Sequence, residues 1–99
     1  MDKIRQTILN FRDARNWKPY HNEKDLAISI SLEANELLEN FQWKTSEEAV
    51  RDSKQNIKEE MADILIYLVQ LADKMDIDLE EEVLEKMKKN ALKYPVQKG

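Results

Sequence analysis

Turn-forming residues are almost absent from this chain, which has one Gly and two Pro among 99 residues. A sheet protein of this size needs many tight turns, and Gly and Pro are the residues that most often make them. Hydrophobic residues make up 41% of the sequence and charged residues 36%, which is compatible with a folded domain. The chain is therefore predicted to be all-α, and its length is that of a single domain, residues 1–99.

Apolar periodicity and capping residues divide the chain into helices. Four helices are predicted, at residues 2–16, 23–42, 57–75 and Leu79–Lys93. Thr45-Ser46-Glu47-Glu48 has the pattern of a capping box, so a helix is expected to begin there. Residues 46–58 are then either a short separate helix or the first turns of the third one. The tail after Pro95 is expected to be frayed.

Two acidic pairs lie inside segments that otherwise have the pattern of buried helix: Glu33 with Glu36, and Glu60 with Asp63. The i,i+3 spacing of each pair puts both carboxylates on one face of a helix, about one turn apart. Glu33 and Glu60 each fall at the margin of an apolar stripe. Partly buried carboxylates that face each other need protonation, a cationic partner or a metal ion.

The residue types available limit which metal could be held. His21 is the only histidine and there is no cysteine, which excludes multi-histidine and thiolate sites. The Glu-x-x-His pairs of di-iron bundles are also missing. Oxygen-only ligands suit Mg²⁺, with Mn²⁺ as a substitute. The alternative is a helical bundle in which the i,i+3 acids are incidental.

The loop between the first two helices gathers three ring side chains, Trp17, Tyr20 and His21. These rings could cover the end of the helical bundle, or they could form a pocket on which a nucleobase stacks. The sequence leaves both interpretations open.

The C-terminal half of the fourth helix is basic, and Lys86, Asn90 and Lys93 share one face at spacings of four and three. Cations at this end of a helix are stabilised by the helix dipole without any ligand. The same three side chains could instead contact phosphate groups.

The third predicted helix is apolar on two sides, because Leu65, Ile66 and Val69 lie opposite its main stripe. A homo-dimer or homo-tetramer is predicted to cover this second side. The net charge of -4 argues against binding a nucleic acid polymer. No run of 18 apolar residues and no signal-peptide pattern occurs, so no membrane association and a cytoplasmic location are expected.

The order of these motifs resembles that of the all-α nucleotide pyrophosphohydrolases of the MazG-like type, and is most similar to their dCTP pyrophosphatase branch. The family's Glu-x-x-Glu and Glu-x-x-Asp motifs are similar to Glu33-Ala-Asn-Glu36 and Glu60-Met-Ala-Asp63. The resemblance extends from about Phe11 to Val96 and includes Arg15-Asn16-Trp17, His21, Phe41-Gln42-Trp43-Lys44, Leu65-Ile66-Tyr67-Leu68 and Lys86-Met87-x-x-Asn90-x-x-x-Tyr94-Pro95-Val96. One departure concerns Ile8, which stands where the dCTP branch has a histidine in its base pocket.

The resemblance implies a four-helix MazG-like bundle, oligomeric through helix packing, that hydrolyses (deoxy)nucleoside triphosphates to the monophosphate and pyrophosphate. Pyrimidine substrates such as dCTP are expected, with weaker base discrimination because of Ile8, and the purpose would be to clear damaged or surplus nucleotides. The four acids would hold Mg²⁺, which neutralises the triphosphate and activates a water molecule. The resemblance also implies a base and sugar pocket formed by Trp17, His21, Trp43 and Tyr67. It implies phosphate contacts from Lys86, Asn90 and Lys93. The competing hypothesis is a non-catalytic helical interaction or regulatory module, in which nothing would require all four acids.

Overall fold

The computed structural model describes residues 1–97, and its regular secondary structure is entirely helical over that range. The four α-helices are α1 (Asp2–Ala14), α2 (Glu23–Glu39), α3 (Ser46–Lys74) and α4 (Leu79–Lys93), with a single 3₁₀ turn at Lys18–Tyr20. The predicted all-α class is confirmed. α4 has the predicted bounds, whereas α1 and α2 end earlier than residues 16 and 42. Residues 95–97 have no regular structure, and the rest of the predicted frayed tail, residues 98–99, lies outside the described residues.

Polar side chains determine where three of the helices begin. The side chains of Asn22, Thr45 and Asp78 each accept a hydrogen bond from the backbone N–H three residues later, at 2.8, 3.1 and 3.0 Å. Each bond satisfies one of the free N–H groups of a helix N-terminus. These caps are local in sequence, which is why the helix starts could be predicted.

The polar segment between α2 and the second acidic pair belongs to α3. Its helix is continuous from Ser46 to Lys74, but Ser53 has non-helical torsion angles of φ -122° and ψ 20°, which mark a kink. Residues 46–58 are therefore the first turns of a long, kinked helix. Asn56 donates a hydrogen bond of 2.7 Å to Asn40 at the end of α2, and so ties this first part to its neighbour.

The helices α1 and α2 pack against α3. α2 runs along α3 with extensive contact, and α1 packs against a shorter part of it. Ile8 and Leu9 of α1 form a core with Val69 of α3, and Leu65 packs against that core. The prediction that Leu65 and Val69 face a second subunit is therefore wrong, because α1 of the same chain covers that side, while Ile66 stays 36% exposed. A helical wheel reveals a second apolar side but cannot tell which chain covers it.

A buried arginine also joins α1 to α3. Arg12 is only 2% exposed, and it donates hydrogen bonds of 2.9 Å to both Asp13 and Asp73. Arg5 donates to the other oxygen of Asp73 at 3.2 Å. Burial alone would lower the pKa of Arg12, but the bonds to Asp13 and Asp73 outweigh it and the pKa is raised. The guanidinium therefore stays charged and holds α1 at one position along α3.

In contrast, α4 buries none of its residues in the described part of the chain. Val83, Leu84 and Met87 are each more than half exposed. The molecule is accordingly elongated, with a radius of gyration of 16.7 Å and extents of 51 × 37 × 25 Å. Within residues 1–97, no helix has the length and apolar character needed to cross a membrane.

Candidate active site

The packing of α2 along α3 brings carboxylates from both acidic pairs together. Oxygen atoms of Glu33, Glu36 and Glu60 all lie within 4.8 Å of one another. Glu33 and Glu60 are half-buried, whereas Glu36 is exposed. Asp63 lies one helical turn beyond Glu60, and its charge is close enough to act on Glu33. Three of the four predicted ligands thus form a tight acidic cluster, and Asp63 lies beside it.

Crowding of like charges changes the protonation of the acidic cluster. The pKa of Glu33 is raised to about 7 by a hydrogen bond with Glu60, by burial and by the negative charges of Glu36, Asp63 and Glu60. A hydrogen bond between two carboxyl groups requires a proton, which the pair then shares. Burial, with the charges of Glu33, Asp63 and Glu36, also raises the pKa of Tyr67. The site therefore has an excess of negative charge that one proton relieves only in part.

The acidic cluster fits a divalent cation. Oxygen Oε2 of Glu60 is buried and has no hydrogen-bond partner among the described residues. A buried polar atom without a partner is costly, so it calls for a ligand that the protein itself does not supply. Carboxylate oxygens from two facing helices are the donors that Mg²⁺ and Mn²⁺ prefer. Glu33, Glu36 and Glu60 would hold such an ion, whereas Asp63 lies outside the group of oxygens that meet.

A cavity of about 590 Å³ opens beside the acids, between α1, the loop that follows it, and α3. Its walls include Ile8, Trp17 and His21 on one side and Asp63, Tyr67 and Gln70 on the other. Asp63 belongs to both the acidic region and this cavity wall. A molecule in the cavity could therefore contact α3 with one end near the acidic cluster.

Aromatic rings form the wall opposite α3. The rings of Phe11 and Trp17 meet edge to face with their centroids 5.7 Å apart, and the Trp17 and His21 rings are 5.9 Å apart. The Arg15 guanidinium lies 3.4 Å above the Phe11 ring and steadies it. Trp17 remains 42% exposed, whereas Tyr20 is 78% exposed and does not line the cavity. Of the two interpretations of the loop, the geometry favours a pocket with a flat apolar surface over a cover for the bundle end.

Other predicted site residues are not brought to the cavity within one chain. Trp43 follows α2 with a φ of 63° and is 95% exposed. A positive φ is unfavourable for a bulky residue, so the loop presents this ring to solvent at an energetic cost. Lys86, Asn90 and Lys93 lie on α4, and none of them lines the cavity. Their predicted phosphate contacts stay a prediction.

Two polar residues of the cavity wall escaped the sequence interpretation. Gln70 is 5% exposed and its Oε1 lies 3.0 Å from Nδ1 of His21. Arg12 was also missed, although it interrupts the apolar stripe of α1 four residues after Ile8. The signal for Gln70 was its place in the apolar run of α3, seven residues after Asp63 and therefore on the same helical face.

The sequence model of the MazG-like family matches residues 28–99, which include both acidic pairs and α4. The chain belongs to the MazG-like family. Among solved structures, the chain is similar to a pyrophosphatase from Archaeoglobus fulgidus, with a TM-score of 0.89 and 45% sequence identity, covering 97% of this chain and 93% of that one. This similarity confirms the predicted MazG-like fold.

Curated relatives of this MazG-like chain include dCTP pyrophosphatase 1 of Bos taurus and of Homo sapiens. The bovine protein is 38% identical over 101 residues, covering 97% of this chain and 60% of the relative. The human protein is 36% identical over 100 residues, covering 96% of this chain and 59% of the relative. The chain thus spans about three fifths of the length of the curated relatives it matches.

Proposed function

We propose that this protein hydrolyses (deoxy)nucleoside triphosphates to the monophosphate and pyrophosphate. The observation that carries the proposal is that Asp63, one helical turn from Glu60 of the acidic cluster, also lies in the wall of an aromatic-walled cavity. A triphosphate needs a cation-binding site and a nucleobase needs a flat apolar surface. The names of the relatives, a pyrophosphatase and dCTP pyrophosphatases, support the same reaction.

The four acids, Glu33, Glu36, Glu60 and Asp63, are proposed to hold Mg²⁺, with Mn²⁺ as a substitute. A bound Mg²⁺ ion would neutralise the triphosphate and make a water molecule more acidic. The pKa of Glu33 is raised to about 7, so a large share of the free protein holds a proton there at neutral pH, and loading of the site would release it. Glu36 is the exposed member of the acidic cluster.

The base and sugar are proposed to lie in the cavity, with the base against Trp17 and the sugar near Tyr67. Stacking on a ring contributes roughly 1–3 kcal/mol and tolerates every base, so it provides affinity more than selectivity. Pyrimidine dNTPs, with dCTP preferred, are the proposed substrates on the strength of the relatives' names. The cytoplasm, which holds the nucleotide pool, is the proposed location.

A homo-dimer or homo-tetramer is proposed as the working form. The accessible surface of the single chain is 8074 Å², whereas about 5,900 Å² is expected for a compact monomer of 11.8 kDa. The excess is of the size that obligate oligomers bury. Trp43 and the basic face of α4, Lys86, Asn90 and Lys93, would then meet the cavity of a partner subunit.

A nucleotide screen tests the proposed reaction. The purified protein is incubated with each dNTP and NTP and Mg²⁺, and pyrophosphate release is measured. We expect release from pyrimidine dNTPs, with dCTP ranked first. Formation of orthophosphate and a nucleoside diphosphate instead would contradict cleavage at the α-phosphorus. Failure to cleave any nucleotide would favour the non-catalytic interaction module.

A further inference from the structure

The amide of Gln70 faces the cavity with its donor side unused. Gln70 is 5% exposed and lines the cavity, and its Oε1 lies 3.0 Å from His21 Nδ1. The carbonyl oxygen can only accept, so the proton of this bond lies on Nδ1. Within residues 1–97, Gln70 Nε2 donates to no protein acceptor. The nitrogen atom is also not fully buried. Its N–H groups therefore have access to the open space of the cavity.

The position of Gln70 on α3 matches the length of a nucleotide. Asp63, Tyr67 and Gln70 follow each other at i,i+4 and i,i+7 and line the same cavity. Two helical turns correspond to a rise of about 10 Å. A nucleotide with its phosphates at the acids would extend its sugar past Tyr67 and bring the edge of its base to Gln70.

Two other polar side chains of the cavity wall already have partners, and one of them is Thr7, whose hydroxyl donates to the carbonyl oxygen of Lys3 at 2.8 Å. Arg12 lines the same cavity, but its Nε and one terminal nitrogen are bonded to Asp13 and Asp73. Ile8 lines the cavity as well and has no polar atom to offer. The Gln70 amide, bonded to His21, is thus a neutral donor available to a base edge.

We propose that Gln70 is a specificity-determining residue that donates hydrogen bonds from Nε2 to a carbonyl oxygen or ring nitrogen on the edge of a pyrimidine base, with His21 holding the amide in the donating orientation. This inference rests on the proposed function and deepens it. Pyrimidines present such an acceptor at O2, and cytosine also at N3, within the reach of one side chain. A base that leaves this donor buried and unpaired binds with a less favourable free energy. The contact therefore discriminates between bases as well as adding affinity.

The test replaces Gln70 by Met, which keeps the size of the side chain and removes its hydrogen bonds. Steady-state kinetics are measured for dCTP, dTTP, dATP and dGTP. We expect kcat/KM for the preferred pyrimidine to fall about tenfold, mostly through KM, which corresponds to the loss of one hydrogen bond. The purine values should change less, so the ranking flattens. Gln55→Met, an exposed position on the same helix, is the matched control and should leave the ranking unchanged.

A second variant and a second readout keep the two proposals separate. Gln70→Glu keeps an acceptor for His21 but removes the amide donor, so it should flatten the ranking as Gln70→Met does. Calorimetric binding of dCMP and dAMP, without hydrolysis, should show the same loss of preference. If both variants fold and the order of their kcat/KM values for the four dNTPs is unchanged, the role of Gln70 is overturned. The proposed hydrolysis reaction is not affected by that result. If the wild type cleaves no nucleotide, the ratio of the Kd values for dCMP and dAMP still tests Gln70. The same ratio in the wild type and in both variants would overturn the proposed role of Gln70.

Discussion

At the scale of single residues, environment distinguishes otherwise similar acids. Glu33 and Glu39 lie on the same helix, but Glu33 faces α3 and has a pKa of about 7, whereas Glu39 is exposed. Glu60 likewise differs from its neighbour Glu59, because only Glu60 has a buried oxygen without a partner in the described chain. Glu33 and Glu60 face each other, and their carboxyl groups need either a shared proton or a bound cation.

Glu60→Gln should remove the metal site. We expect kcat/KM to fall by about a hundredfold or more, because a ligand carboxylate is lost. Mg²⁺ at about 100 times its Kd should stabilise the wild type by about 2.7 kcal/mol and should not stabilise the variant. Activity assays and thermal unfolding with and without Mg²⁺ measure both effects. Glu39→Gln, at an exposed acid of α2, is the control, and full activity in Glu60→Gln at saturating Mg²⁺ would refute the assignment.

The raised pKa of Glu33 predicts how stability depends on pH in metal-free protein. The folded-state pKa of about 7 lies above the ordinary value of 4.5, so between these values the folded chain keeps a proton that the unfolded chain has lost. This contribution to stability is complete below the unfolded pKa and disappears as the pH rises through 7. The Tm measured with a chelator should therefore fall between about pH 5 and pH 8.

Two comparisons check this pH dependence. Glu33→Gln cannot titrate, so its Tm should vary less over the same pH range than that of the wild type. Saturating Mg²⁺ should also flatten the curve, because the metal displaces the shared proton. The same slope in the wild type and in Glu33→Gln would show that Glu33 is not the titrating group.

At the scale of elements, α1 is attached to α3 by a small core and a buried ion pair. Ile8 and Leu9 contribute the apolar contacts, and Arg12 contributes a hydrogen bond to Asp73. The same helix carries one wall of the cavity, so the pair that fixes α1 also fixes the distance between Trp17 and the face of α3. Trp17 is linked to this arrangement directly, because its backbone N–H donates to the carbonyl oxygen of Arg12 at 3.2 Å.

Asp73→Ala should loosen α1. Removing one partner of a buried pair leaves a buried charge with fewer partners, and the expected cost is about 3 kcal/mol in the free energy of unfolding. Urea unfolding followed by circular dichroism measures it. Asp52→Ala breaks the exposed Arg51–Asp52 pair and should cost less than about 0.5 kcal/mol. Equal costs in the two variants would mean that Arg12 does not depend on Asp73.

At the scale of the whole molecule, the single chain is more extended than a compact domain of its length. Its radius of gyration is 16.7 Å, compared with about 13 Å for a compact domain of this length. Large apolar side chains are exposed on α4 and on the side of α2 formed by Ile28 and Leu32. Exposed apolar strips of this extent are typical of surfaces that another chain covers.

Met87→Glu should weaken the assembly. Met87 is 59% exposed on a helix that buries nothing within its own chain, so a charge there costs little in the monomer but would be buried unpaired in an interface. Light scattering at micromolar concentration should show an oligomer for the wild type and smaller species for the variant. Lys89→Ala makes the same change in net charge at an exposed position and is the control. A monomeric wild type would contradict the proposed oligomer.

The sequence by itself determined the features that depend on neighbours along the chain. Caps at Asn22, Thr45 and Asp78 act within three residues, and the i,i+3 spacing of the acids needs only a helix to put each pair on one face. The family motifs are equally local. The helix starts, the all-α class and the placement of each acidic pair on one helical face could therefore be predicted.

Only the tertiary structure decided which surfaces meet. Val69 was predicted to face another subunit and instead contacts α1, because packing is set by long-range contacts that helical periodicity does not contain. The bond from Arg12 to Asp73 joins residues 61 positions apart, and that between His21 and Gln70 joins residues 49 apart. Burial turns a charged or polar residue in a sequence into a group that must find a partner, and the partner is known only when the chain has folded.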